Sequence, residues 1–175
     1  MSPNEARPPS SPDRIGCLEQ VTHSPDDTQR LGARIAELAR PGDVFLLVGK
    51  LGAGKTCLTQ GIAWGLGIKE YTLSPSFVIV RELYGRLPLY HIDLYRLDNL
   101  AEIADLGLDE YLYGNGICVI EWAEKGLELL PREHLLIEID YLADTERRFR
   151  LKASGQRYRE MVNELKGQGV NATGH

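Results

Sequence analysis

The stretch Val44-Phe45-Leu46-Leu47-Val48-Gly49-Lys50-Leu51-Gly52-Ala53-Gly54-Lys55-Thr56 decides the fold. Its first five residues are apolar without alternation, as in a strand buried on both faces of a parallel sheet. Gly49 to Thr56 then spell G-x-x-x-x-G-K-T, and Leu58, Ile62 and Leu66 continue at helical spacing to Gly67, a residue suited to ending a helix. Strand, glycine-rich turn and helix form the context that a phosphate-binding P-loop requires. The backbone N–H groups of such a loop point inward around a di- or triphosphate. Lys55 would add a positive charge at the β/γ oxygens, and the Thr56 hydroxyl would sit on Mg²⁺. The chain is therefore expected to bind a nucleotide through Gly49, Leu51, Gly52, Ala53, Gly54, Lys55, Thr56 and Cys57.

The 175 residues are 43% hydrophobic and 26% charged, as expected of a soluble globular protein. One P-loop domain is expected over residues 15–166, after a Pro/Ser-rich disordered tail (1–14) and before a Gly-rich flexible end (167–175). No apolar stretch approaches membrane-spanning length and no signal-peptide core is visible, which predicts a cytoplasmic protein with no membrane partner. A net charge of −5 gives no global attraction to nucleic acid. Cys17, Cys57 and Cys118 are odd in number, widely spaced and in no metal pattern, so they read as buried thiols in a reducing compartment.

Outward from the opening stretch, Cys17 to Val21 reads as a short edge strand. Ser24-Pro25-Asp26-Asp27 reads as a helix start, with Leu31, Ile35 and Leu38 on its buried stripe and Pro41-Gly42 at its end. Phe77 to Tyr84 and Leu87 to Tyr95 flank Gly85-Arg86 as a hairpin. Asp98 to Leu106 and Leu108 to Tyr113 are short helices broken at Gly107. Ile117 to Ile120 and Leu135 to Asp140 are further strands. Phe149 to Leu151 is expected to pair antiparallel with the latter, and Tyr158 to Leu165 to close the chain as a helix. The sum is α/β: a three-layer α/β/α sandwich, mainly parallel at its centre, with antiparallel edge strands.

Hydrolysis needs more than a P-loop: a second acid near Mg²⁺ and a group that places the attacking water. Glu121 follows the apolar strand Ile117 to Ile120 at its carboxyl end, where doubly wound sheets bind ligands. It reads as the Walker-B acid or, alternatively, as a strand-end cap. In His91-Ile92-Asp93-Leu94-Tyr95-Arg96, alternation puts His91, Asp93 and Tyr95 on one face. That face lines a cleft, with Asp93 orienting water or holding Mg²⁺ in its outer shell, or is merely solvated. Ser74-Pro75-Ser76 stands where switch proteins place a γ-phosphate-sensing hydroxyl, and equally where a plain turn would serve. Trp122 reads as a core plug or as an aromatic lid on a partner surface. No Asn-Lys-x-Asp segment is present, which favours adenine over guanine. Arg148, Arg150 and Lys152 share one strand face, either a solvated edge or a basic strip for RNA or an acidic partner.

Together, Gly49 to Thr56, Ser74-Pro75-Ser76-Phe77, His91-Ile92-Asp93-Leu94-Tyr95-Arg96 and Ile120-Glu121-Trp122-Ala123-Glu124 resemble the TsaE family, small bacterial ATPases of tRNA threonylcarbamoyladenosine synthesis. The resemblance runs from about Ser24 to about Arg148. It implies an ATP hydrolase that uses Mg²⁺, is slow alone, and drives or resets a heterodimer of TsaD- and TsaB-type proteins. That heterodimer modifies adenosine 37 of tRNA, so the resemblance implies an indirect link to tRNA and leaves direct contact open. By the same resemblance, Lys55 and Thr56 hold phosphates and metal, and Glu121 is the second metal-side acid. Asp93 is needed for hydrolysis and Thr28 lies near the base. Ser74, Ser76, His91, Tyr95, Arg96 and Trp122 belong to a switch or partner surface. The chain departs from the family pattern at Lys50, where Asp is usual, at Ser76, where Thr is usual, and at Cys57, a second Thr. A small-molecule kinase on the same fold is the competing reading, set back by the lack of an evident Arg-rich lid.

Overall fold

The apolar run that opens the chain's reading is the second strand of a seven-stranded sheet in the computed structural model, which describes residues 16–50, 52–72 and 79–172. The elements are β1 (Cys17–Thr22), α1 (Pro25–Glu37), β2 (Val44–Gly49), α2 (Lys55–Gly65), β3 (Val80–Tyr84), β4 (Pro88–Asp93), α3 (Leu100–Ala104), α4 (Asp109–Leu112), β5 (Ile117–Glu121), β6 (His134–Tyr141), β7 (Arg147–Ser154) and α5 (Gln156–Ala172). Strand order is β1-β7-β6-β2-β5-β4-β3. β6, β2, β5 and β4 run parallel, while β1, β7 and β3 pair antiparallel, as expected of the edges. The tail, Leu51 and the Ser74-Pro75-Ser76-Phe77 segment lie outside the described residues.

Alternate residues of the central strands feed two cores. Phe45, Leu47, Ile117, Val119, Ile137 and Phe149 pack under α1, α2 and α5. Val44, Leu46, Cys118 and Ile120 pack with Ile103, Leu108 and Leu112 of the α3–α4 side. Double burial is why β2 and β5 read as unbroken apolar runs. The three layers are the expected α/β/α sandwich.

Local chemistry sets the boundaries. Ser24 accepts a hydrogen bond from the Asp27 N–H at 3.0 Å and Pro25 opens α1, so the predicted helix start is met in detail. α1 lies almost backbone to backbone on α2: a Cβ on Gly32 would stand 2.5 Å from the Leu58 carbonyl. This close approach delivers the N-terminus of α1, with Thr28, to the loop between β2 and α2.

Two expectations are corrected and one open choice is narrowed. Cys17 is exposed and Cys57 half-buried, leaving Cys118 alone as a buried thiol, because β1 is an edge strand and only β5 is central. α5 continues to Ala172, past the Leu165 end that the apolar spacing suggests. The basic face of β7 is matched by acids on neighbouring strands: Arg148 pairs with Glu19 at 3.1 Å, Arg150 with Asp140 at 2.6 Å and Lys152 with Glu138 at 2.9 Å. A strip so neutralised is an ion-pair ladder across β1, β7 and β6 and offers little free charge to RNA. No helix among the described residues is long and apolar enough to cross a membrane.

Candidate functional site

The loop between β2 and α2 turns on glycines. Gly52 (φ +79) and Gly54 (φ +113) adopt left-handed backbone that side chains resist, which lets the chain curl before α2 begins at Lys55. Gly49 is needed for space: a Cβ there would lie 2.8 Å from the Ile139 carbonyl on β6. Lys50 is exposed and serves the loop through its backbone, since its carbonyl accepts from the Ala53 N–H at 3.0 Å. The Lys55 Nζ donates to the carbonyls of Gly49 at 2.5 Å and Lys50 at 3.0 Å, inside the curve it helps to close.

Lys55 is buried with its ammonium 4.0 Å over the Trp122 ring. Burial lowers its pKa, and the opposing charges of Glu121, Glu124 and Asp93 hold it back up. Trp122 occupies left-handed backbone (φ +59), alone among the described non-glycine residues. That turn, directly after β5, swings its ring beneath Lys55 and against Tyr95, 4.9 Å between centroids. Trp122 is therefore a half-buried platform for the loop lysine that also packs against the α3–α4 side core.

Glu121, at the end of β5, is almost wholly buried. Oε1 accepts from the Thr56 hydroxyl at 3.3 Å, and Oε2 meets the His91 Nε2. Asp93 is its register partner on β4. It shares the sheet face of His91, half-buried, and accepts from the Tyr95 N–H at 2.9 Å. The face holding His91, Asp93 and Glu121 is the one covered by α2, because Leu89, Ile117 and Val119 on it belong to the α2-side core. The strand alternation is thus met for His91 and Asp93. Tyr95 lies beyond the strand end, in a turn, and Arg96 is exposed beside it. His91 has no exposed surface at all, so the surface expected of it is corrected: alternation reveals a polar face without revealing that a helix covers it.

Thr56 and Glu121 offer a divalent ion two oxygens, and among the described residues no cluster of three or more His, Cys, Asp or Glu is built to hold a metal. So sparse a set fits Mg²⁺, which takes one or two protein oxygens and completes its shell with water and phosphate. Thr28, its hydroxyl 2.8 Å from that of Thr22, lines a small cavity of about 90 Å³ with Gly54, Cys57 and Arg147. It is thereby brought beside the loop. A larger cleft, about 770 Å³, borders Gly49 and Lys50 but is walled by the charge-paired strands β6 and β7, and neither Thr56 nor Glu121 lines it.

Sequence reasoning overlooked Arg147. Its Nε donates to the Ala53 carbonyl at 2.9 Å, and its Nη1 to the carbonyls of Ala143 at 2.6 Å and Glu146 at 2.9 Å. It clamps the glycine loop to the β6–β7 turn. Only its place at the start of a basic run hinted at a role.

A family model, Threonylcarbamoyl adenosine biosynthesis protein TsaE, matches residues 22–149. The tRNA threonylcarbamoyladenosine biosynthesis protein TsaE of Bacillus subtilis is 47% identical over 149 residues, covering 85% of this chain and 93% of its own. The protein of that name from Treponema pallidum is 45% identical over 127 residues, covering 73% and 94%. The crystal structure of Bacillus subtilis YdiB superposes with a TM-score of 0.77 at 42% identity, covering 87% of this chain and 96% of that one. A family model over most of the chain and relatives at these identities show that the chain belongs to the TsaE family.

Proposed function

We propose that the chain is a Mg²⁺-dependent ATP hydrolase serving tRNA threonylcarbamoyladenosine synthesis, acting on a partner heterodimer of TsaD- and TsaB-type proteins. The carrying observation is the meeting of Thr56 with Glu121 Oε1, at 3.3 Å, across the gap between α2 and β5. In an NTPase loop those two oxygens flank the metal. Magnesium, when bound, neutralises charge on the phosphate oxygens. The chain's own groups do the rest. Loop N–H groups from Gly49 to Cys57 bind phosphate, and Lys55 supplies the charge that offsets its oxygens. Trp122 steadies the Lys55 side chain, and Asp93, on the strand beside Glu121, orients the attacking water. Thr28 borders the base. On this reading the chain works in the cytoplasm and meets tRNA through its partners, with exposed Tyr95 and Arg96 near the surface they engage.

The test is phosphate release from ATP with Mg²⁺, alone and with the purified heterodimer. Slow turnover that changes when the heterodimer is added is expected. Turnover and ATP affinity both indifferent to it would sink the reading.

A further inference from the structure

His91 is the one fully buried histidine among the described residues, and it is spent on a single contact. Its Nε2 faces Glu121 Oε2, while among the described residues Nδ1 has no hydrogen-bond partner. A buried N–H without an acceptor costs more than a bare lone pair in the same place, so the ring hydrogen belongs on Nε2, donated to the carboxylate. The other carboxylate oxygen, Oε1, is the one that reaches Thr56. The two oxygens of Glu121 are therefore divided: one is held from within the sheet and one is offered at the loop.

A carboxylate at a strand end can rotate, and both its oxygens can approach a cation. Here rotation would break the His91 contact in a space closed to water, since His91 and Glu121 are almost without exposure. β4 makes the arrangement rigid: His91 lies opposite Val119, two positions before the Asp93–Glu121 pair, in a parallel ladder buried on both faces. We propose that His91 is a positioning residue that locks Glu121 so that it presents Oε1 alone beside Thr56, making Glu121 a single-oxygen partner for the divalent ion. This rests on the magnesium reading of Thr56 and Glu121 given above. Second partners of this kind orient metal-side carboxylates and typically set affinity by about 10- to 100-fold.

The experiment measures Mn²⁺ affinity by EPR in the presence of ADP, for the full chain and for H91F, H91Q, E121Q and H91F/E121Q. ADP affinity in EDTA serves as the check on folding. H91F is expected to weaken Mn²⁺ binding about tenfold with ADP affinity in EDTA unchanged. H91Q, which keeps an N–H donor, should recover most of the loss, and H91F should add nothing once E121Q is present. If H91F lowers affinity equally with and without E121Q, or leaves it unchanged while E121Q lowers it, the positioning role fails and the magnesium reading stands. If E121Q itself leaves Mn²⁺ binding unchanged, both fail. Should H91F not fold, ¹⁵N-histidine NMR of the unmodified chain decides. An Nε2–H tautomer whose ring shifts move on addition of Mg²⁺ and ADP is expected, and an Nδ1–H tautomer overturns the proposal.

Discussion

Asp93 and Glu121 are register partners on adjacent parallel strands, and Glu121 is held by hydrogen bonds from two sides, to Thr56 and to His91. Asp93 is half-buried and holds the turn at Tyr95 through its carboxylate. Two acids side by side in unlike surroundings are suited to unlike tasks. Asp93→Asn is expected to lower ATP hydrolysis by about 100-fold while ADP affinity stays within about threefold, the signature of a lost water-orienting group. Phosphate release and ADP titration check this together. A parallel fall in both would make Asp93 a structural residue.

Arg147 ties the glycine loop to a turn that follows it by some ninety residues, through three close carbonyl oxygens and a fourth, of Asp144, at 3.4 Å. Arg147→Ala should reduce unfolding free energy by about 1–3 kcal/mol, the range for hydrogen bonds from a charged donor. It should also weaken ADP binding, because the Ala53 carbonyl loses its anchor. Arg147→Lys should restore little, since an ammonium lacks the planar fork that spans three acceptors. Urea unfolding and ADP titration separate the two effects.

The Lys55 ammonium over the Trp122 ring makes the indole a built-in reporter. The described residues hold a second tryptophan, Trp64, 39% exposed on the outer side of α2. In a Trp64→Phe background, addition of ADP should change Trp122 emission as Lys55 turns to the phosphates. Lys55→Ala should remove that response. An unchanged spectrum on saturation with ADP would detach Trp122 from the loop lysine.

Tyr158 on α5 is buried, and its hydroxyl accepts from the Val44 N–H at 2.8 Å. Burial is the main cause of its pKa being pushed up to about 12 from 10. Between those values the unfolded chain has lost the phenolic proton and the folded chain keeps it, so stability falls as pH rises through that window. The loss reaches about 3 kcal/mol at most. Tyr158→Phe should be less stable at neutral pH by about 1–3 kcal/mol, having orphaned the Val44 N–H. It should also lose that part of the alkaline decline. Urea unfolding of both proteins at pH 7, 10 and 11 compares the slopes.

What could be read in advance follows from locality. Val44 to Val48 and Ile117 to Ile120 were legible because burial on both faces erases alternation, and the break at Gly107 because its backbone is left-handed (φ +65). The loop, Thr56 and Glu121 carry their meaning in neighbouring residues. Arg147 does not: its partner Ala53 is fixed only by the antiparallel return of β7 on β6. His91 was visible as a polar residue on the right face, but whether that face meets solvent or α2 is decided by packing. The acids that neutralise Arg148, Arg150 and Lys152 lie on two other strands, so a basic stretch in one dimension is a balanced surface in three.

The strand order also dictates a timetable for synthesis. β1 sits at a margin of the sheet with β7 as its neighbour, so among the seven described strands the first in sequence waits for the last. Gly49, the first glycine of the loop, is seated against Ile139 of β6, and the Ala53 carbonyl against Arg147. A nascent chain that has emerged only as far as β5 thus carries Lys55, Thr56 and Glu121 but not the walls that shape the loop around them. The loop can therefore take its folded shape only once β6 and β7 have joined the sheet, whatever the order in which the other elements assemble.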